Sequence, residues 1–224
     1  MSRAASVLFD LDGTLTDPAE GIVGCIQHVL ESLDAPVPPA SLLTRYIGPP
    51  LRESFATLLE QPGASAVEEA VRRYRERFEA SGMYENRVYP GVEELLERIA
   101  GMGWRAYVTT SKPTLYARRI LDHFGLSGSF VAIYGSEMDG RLTRKRDLLS
   151  HVLVAEFLAI EDTVMVGDRA EDILGARNHH LASVGVTYGY GSPQELREAG
   201  ATWICDDTSA VFTVLRDHFG EVRS

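Results

Sequence analysis

Val7-Leu8-Phe9-Asp10-Leu11-Asp12-Gly13-Thr14-Leu15 is the stretch on which the reading of this chain turns. Val7-Leu8-Phe9 has the character of a short buried strand, and it runs into two carboxylates one residue apart, a glycine and a threonine. Residues i and i+2 of a strand share a face, so Asp10 and Asp12 can act on one ligand. Gly13 lets the backbone turn sharply behind them. Clustered carboxylates repel unless a cation sits between them, and hard oxygen ligands suit Mg²⁺. At about 5–7% usage per residue type, Asp-x-Asp-Gly-Thr arises by chance roughly once in 10⁵ start positions, so a plain acidic turn is the weaker reading.

The composition fits an ordinary globular enzyme, with 45% hydrophobic and 24% charged residues in 224. That length accommodates one core plus an insertion. No apolar run approaches the roughly 20 residues that span a bilayer, and the N-terminus leads straight into a strand, so neither a membrane anchor nor a signal peptide is expected. Cys25 and Cys205 are the only cysteines, which points to reduced thiols and a cytoplasmic location. A net charge of −10 without a dense Lys/Arg block disfavours a nucleic acid partner.

Beyond residue 100, short apolar strands alternate with helical patterns. Strands are expected at 104–109, 129–134, 163–166, 182–186 and 202–204, and helices at 114–123, 147–157, 170–178, 193–199 and 209–219. That alternation argues for an α/β fold, a parallel sheet covered by helices on both faces, with ligands gathering beyond the carboxyl ends of its strands. The stretch from Pro18 to about Val88 breaks the rhythm. It offers helices at 19–33, 40–46, 51–59 and 66–80, punctuated by Pro36-Val37-Pro38-Pro39 and Gln61-Pro62-Gly63, and no convincing strand. We therefore expect a core of residues 1–16 and 89–224 and an all-helical insertion of residues 17–88.

Other candidate residues sit where such a core places its site. Thr110-Ser111-Lys112-Pro113 closes the second core strand, putting hydroxyls and a helix start at the sheet's carboxyl edge, although a plain helix cap explains Thr110 or Ser111 equally well. Gly167-Asp168 follows a buried strand, and Asp172 lies four residues on, a spacing that places two carboxylates on one helix face. Lys145, in Arg144-Lys145-Arg146, reads in isolation as a solvated charge in a basic loop. His179-His180 reads as a helix end and not as a metal pair. Tyr188-Gly189-Tyr190-Gly191 lacks the full glycine fingerprint of a nucleotide loop and reads as a flexible rim. Both cysteines read as packing.

Four motifs in this order resemble the haloacid dehalogenase superfamily: Asp10-Leu11-Asp12-Gly13-Thr14, then Thr110, then Lys145, then Gly167-Asp168 with Asp172. The helical insertion resembles the superfamily's C1-type cap, and the core its Rossmann-like three-layer fold. Ile47-Gly48-Pro49-Pro50-Leu51, Ser111-Lys112-Pro113 and Tyr188-Gly189-Tyr190-Gly191-Ser192 resemble the phosphoglycolate-phosphatase-like branch and its bacterial 5′-nucleotidase-like members. The resemblance implies a phosphomonoester hydrolase in which Asp10 attacks phosphorus and forms an aspartyl-phosphate, while Asp12 serves as acid and then base. It implies Mg²⁺ held by Asp10, the backbone carbonyl of Asp12 and Asp168, with Asp172 as direct or outer ligand. Thr14, Thr110, Ser111 and Lys145 would hold the phosphoryl group.

Arg45, Gly48 and Arg52 of the cap would meet the rest of the substrate, although exposed helix faces explain both arginines as well. A nucleoside 5′-monophosphate or phosphoglycolate is the expected small-molecule partner. A sugar-phosphate mutase and a non-catalytic phosphometabolite-binding protein are the alternatives. A dehalogenase is disfavoured because that branch generally lacks the second aspartate.

Overall fold

The computed structural model describes residues 4–60 and 63–220, so Gln61 and Pro62 of the expected turn lie outside the described residues. The chain divides into two compact units, Met1–Thr16 with Val88–Ser224, and Asp17–Arg87. Strand β1 (Ser6–Phe9) is buried along its whole length. The chain leaves the first unit through β2 (Thr16–Asp17) and returns through β3 (Arg87–Val88), and these two short strands pair with each other.

Between them the second unit is helical: α1 (Ala19–Ser32), α2 (Ala40–Leu43), α3 (Leu51–Leu58) and α4 (Ala64–Arg77). Its core is built from apolar faces at helical spacing, Ile22, Cys25, Ile26, Val29 and Leu30 of α1 with Val67, Ala70, Val71 and Tyr74 of α4. Two differences from expectation occur at helix ends. The last turn of the expected helix at 40–46 tightens to a 3₁₀ turn at Thr44–Tyr46, and α4 gives way to a π turn at Phe78–Gly82. Gly82 packs there against Cys25, where a Cβ would collide with the sulfur.

The first unit continues with α5 (Val92–Gly101), β4 (Arg105–Pro113), α6 (Thr114–His123), β5 (Ala132–Ser136), α7 (Lys145–Ala155), β6 (Thr163–Gly167) and α8 (Ala170–Asn178). It closes with β7 (Ala182–Val186), α9 (Pro193–Ala199), β8 (Trp203–Cys205) and α10 (Thr208–Phe219). Six strands form one parallel sheet in the order β5-β4-β1-β6-β7-β8. Helices cover it, giving a Rossmann-like α/β core.

Strand order runs away from β1 in both directions, so the connections diverge there and leave a crevice beyond the ends of β1, β4 and β6. Leu8 stands between Tyr107 and Met165 in register, and the three share one cluster with Leu148, Leu149 and Val152 of α7.

Two strands differ from their expected limits for local reasons. Ser127–Ser129 forms a 3₁₀ turn, in keeping with its Ser-Gly-Ser composition, so β5 begins only at Ala132. Strand β4 runs past Thr109 to Pro113 because its ladder with β5 slips between Thr109 and Pro113 and then resumes. Such an irregularity re-aims side chains at a strand end, and it carries Thr110, Ser111 and Lys112. Truncating Leu149, which is fully buried in the cluster, to alanine is expected to cost about 3 kcal/mol in urea unfolding.

Candidate active site

Beyond Phe9 the chain makes one tight turn. Leu11 carbonyl accepts from the N–H groups of Leu15 and Thr16 at 2.9 and 3.0 Å, and Gly13 N–H donates to Thr16 carbonyl at 2.8 Å. Gly13 sits at φ 85°, where a side chain would be strained and a Cβ would strike the Asp168 carboxylate. Asp10 N–H donates to Val166 carbonyl at 2.9 Å, which ties the tip of β1 to β6.

Around this turn the sheet's carboxyl edge brings together most of the expected residues of the first unit. Asp10, Asp168 and Asp172 each offer an oxygen within 4.8 Å of the others, and all three are buried. Asp10 follows β1 and Asp168 follows β6, while Asp172 sits in the first turn of α8, where its Oδ2 accepts Arg169 N–H at 3.1 Å. Asp168 thus stands before the helix and not on its face, and the two carboxylates still converge. Burial first, then repulsion from Asp172 and Asp10, pushes the Asp168 carboxyl well above the usual carboxylate range. Burial likewise raises Asp172, to about 6, against the pull of Lys145.

Lys145 is the counterweight. It is the first residue of α7 and is buried, not a solvated charge in a loop. Its Nζ lies 3.0 Å from Asp10 Oδ1 and 2.7 Å from Asp172 Oδ1, and it donates to Thr109 carbonyl at 2.7 Å. Burial works against its charge, but Asp10 and Asp172 outweigh burial and hold the ammonium above the ordinary lysine range.

Asp12 points elsewhere. Its Oδ2 pairs with Lys112 Nζ at 2.8 Å, and its side chain is not part of the carboxylate cluster. Burial raises its carboxyl, with Lys112 opposing.

The hydroxyls divide. Thr14 donates to Asp168 Oδ1 at 3.3 Å, so it supports a carboxylate. Thr110 is buried at the bulge, and its Oγ1 accepts Lys112 N–H at 3.2 Å. Ser111 is held through its carbonyl, which accepts from Ser136 Oγ at 2.8 Å. In the helical unit, Arg45 lies in the 3₁₀ turn and Gly48 in the following loop. Arg52 on α3 is exposed and pairs with Glu68 of α4 at 2.5 Å, in keeping with a solvated helix face.

Two features escaped the sequence reading. Lys112 falls in the segment that closes the second core strand without a role of its own in the sequence reading, although in an extended chain it lies two residues beyond Thr110 and so on the same face. The Tyr188–Gly191 loop is not merely a flexible rim. Tyr190 N–H donates to Asp168 Oδ2 at 2.8 Å, and Tyr188 hydroxyl donates to Thr14 carbonyl at 3.1 Å. A Cβ at Gly189 would collide with Gly13 carbonyl, and one at Gly191 with Asp168 carbonyl, so these two positions fit only glycine. His179 stands at the C-cap of α8 with Nε2 2.7 Å from Arg146 carbonyl, away from this cluster.

Residues 7–186 match the family model of haloacid dehalogenase-like hydrolases. The chain belongs to that family. A 5′-nucleotidase of Pseudomonas aeruginosa is 48% identical over 216 residues, covering 96% of this chain and 97% of that one. A protein of Mycobacterium tuberculosis named tyrosine-protein kinase PtkA is 39% identical over 214 residues, covering 96% of this chain and 72% of that one. Among solved structures, a predicted phosphatase from Clostridium acetobutylicum superposes with a TM-score of 0.90 at 41% identity, over 96% of this chain and all of that one. The chain is accordingly an enzyme of the phosphatase type. No described helix is long and apolar enough to cross a membrane.

The raised Asp168 carboxyl has a consequence for the metal-free protein. A carboxyl that titrates higher folded than unfolded lowers stability as pH rises from about 4 through its folded value, because the folded state must release a proton that it holds more tightly. Asp168→Asn removes that penalty while keeping an acceptor for Tyr190 N–H. In EDTA at pH 7.5 the variant is expected to melt above the wild type. The advantage should vanish near pH 4, as followed by thermal scans across pH.

Proposed function

We propose that the chain is a Mg²⁺-dependent phosphomonoester hydrolase acting through an aspartyl-phosphate on Asp10, with a nucleoside 5′-monophosphate as the leading substrate and phosphoglycolate second. The observation that carries the reading is the convergence of three buried carboxylates beside a lysine that touches two of them. With all four carboxylates (Asp10, Asp12, Asp168 and Asp172) ionised, the two ammonium groups (Lys112 and Lys145) leave two net negative charges in a buried space. A hard divalent cation neutralises that excess, and carboxylate oxygens are its preferred donors. Asp10, Asp168 and Asp12 carbonyl would hold it, with Asp172 kept at one remove by its bonds to Lys145 and Arg169 N–H. When bound, the ion draws charge from the transferring phosphoryl group.

The chain's own residues supply the rest. Lys145, 3.0 Å from Oδ1, holds the Asp10 carboxylate aimed for attack. Asp12, whose carboxyl burial raises, gives a proton to the departing oxygen and takes one from the attacking water. Thr110 and Ser111, at the bulge of β4, hold phosphoryl oxygens, and Lys145 adds positive charge beside them. An acidic protein can thereby draw in an anion, because the positive charge is local.

Among substrates, the 48% identity to a 5′-nucleotidase over nearly the whole chain favours nucleotides. The kinase-named relative supports a second outcome, in which the phosphoryl group of Asp10 passes to a tyrosine instead of water. Phosphate release from 5′-UMP, 5′-IMP, phosphoglycolate and sugar phosphates, with label transfer to protein scored alongside, separates these readings, and an isomeric sugar phosphate would reveal a mutase.

Two outcomes are expected. Phosphate release should disappear in EDTA and fall by at least about 10³-fold in Asp10→Asn, since the nucleophile itself is lost. Mg²⁺ at about 100 times its Kd should stabilise the wild type by roughly 2.7 kcal/mol at pH 7.5, as read from urea unfolding. That gain should be absent in Asp168→Asn. Folded protein that releases no phosphate from any of these compounds would sink the hydrolase reading.

A further inference from the structure

Lys112 has no part in the reaction as written, yet its ammonium is placed with the same care as that of Lys145. Its side chain is only 7% exposed, and Nζ lies 2.8 Å from Asp12 Oδ2. The other oxygen, Asp12 Oδ1, is buried and has no hydrogen-bond partner among the described residues. The backbone that launches the lysine is itself tied, because Lys112 N–H donates to Thr110 Oγ1 at the slip in the β4 ladder. A burial this complete is costly for an ammonium unless a carboxylate meets it, and here the carboxylate that meets it stands beside Asp10.

We propose that Lys112 is a positioning residue that clamps Asp12 through Oδ2, so that Oδ1 alone exchanges the proton with the leaving oxygen and then with water. The inference rests on the hydrolase reading above. In the first step the bond from Asp10 to phosphorus forms, the bond from phosphorus to the leaving oxygen breaks, and that oxygen takes the proton from Asp12 Oδ1. In the second, a water oxygen attacks phosphorus, its proton passes to Oδ1, and the bond to Asp10 breaks. Lys112 takes no part in either proton transfer and acts only by holding the carboxylate.

A structural ion pair and a positioning pair differ in one readout. A nucleoside 5′-oxygen leaves poorly without a proton, whereas p-nitrophenolate departs as a stable anion and needs none. The quantity to compare is kcat/KM, which covers the steps through departure of the leaving group and is blind to hydrolysis of the aspartyl-phosphate. With the Mg²⁺-loaded enzyme, Lys112→Met is expected to lower kcat/KM for 5′-UMP by about 10–100-fold, part of the roughly 10²–10⁴ that a general acid supplies. For p-nitrophenyl phosphate the loss should be only about threefold. Lys112→Arg, which keeps the charge, should recover much of the difference, and it serves as the working variant where Lys112→Met does not fold. In an Asp12→Asn background Lys112→Met should cost nothing further.

Equal losses on both compounds, or a full additional loss in the Asp12→Asn background, would overturn the proposal and leave a structural pair. Unchanged kinetics in Lys112→Met would overturn it as well. A wild type inactive on both compounds and on the rest of the panel above would instead overturn the hydrolase reading itself, and this inference with it.

Discussion

Lys145 is the pivot of the site. Its ammonium reaches one oxygen each of Asp10 and Asp172 and the carbonyl of Thr109, so a single side chain ties the end of β1 and the middle of β4 to the start of α8. Remove the charge and buried carboxylates face one another with less to offset them, in a space where repulsion is poorly screened. Its stem is fixed as well, packed against Gly175 of α8 where no larger residue fits. That contact, with Leu149 against the same glycine, is part of what lets α7 approach α8 closely.

The parallel sheet could be read directly because its strands are short apolar runs buried on both faces, and burial leaves a pattern in composition. Asp10, Asp12 and Asp168 were visible for a related reason: a carboxylate placed straight after such a run has few structural uses. Lys145 was harder. Arg144 and Arg146 beside it are exposed, and nothing in the triplet itself separates the three. The signal was its phase, since Lys145 falls in the apolar stripe with Leu148, Leu149 and Val152 once the helix is started at 145. Placing that helix at 147 hid it.

The partners of Asp12 and Asp168 were less accessible still. That Lys112 reaches Asp12, and that the Tyr190 N–H closes on Asp168, are consequences of how β4 slips against β5 and how the chain leaves β7. Both arise from contacts between residues far apart in the chain, and local periodicity does not report them. The glycines of that loop were legible as turn formers but not as residues excluded from having side chains by a neighbouring backbone.

The pairing of β2 with β3 bears on how the core is assembled. Strand β1 must find β4 across an intervening stretch dominated by the helical unit, and closing that loop of about 95 residues costs several kcal/mol of chain entropy. Once residues 17–87 have folded, their two ends run side by side as neighbouring strands, about 5 Å apart. The core then experiences the insertion as a short link in place of a long tether, and the effective loop shortens from about 95 to about 25 residues, a saving of about 1 kcal/mol in loop closure. Seen this way, the insertion acts as a staple, and its own folding lowers the entropic barrier to registering the central strands.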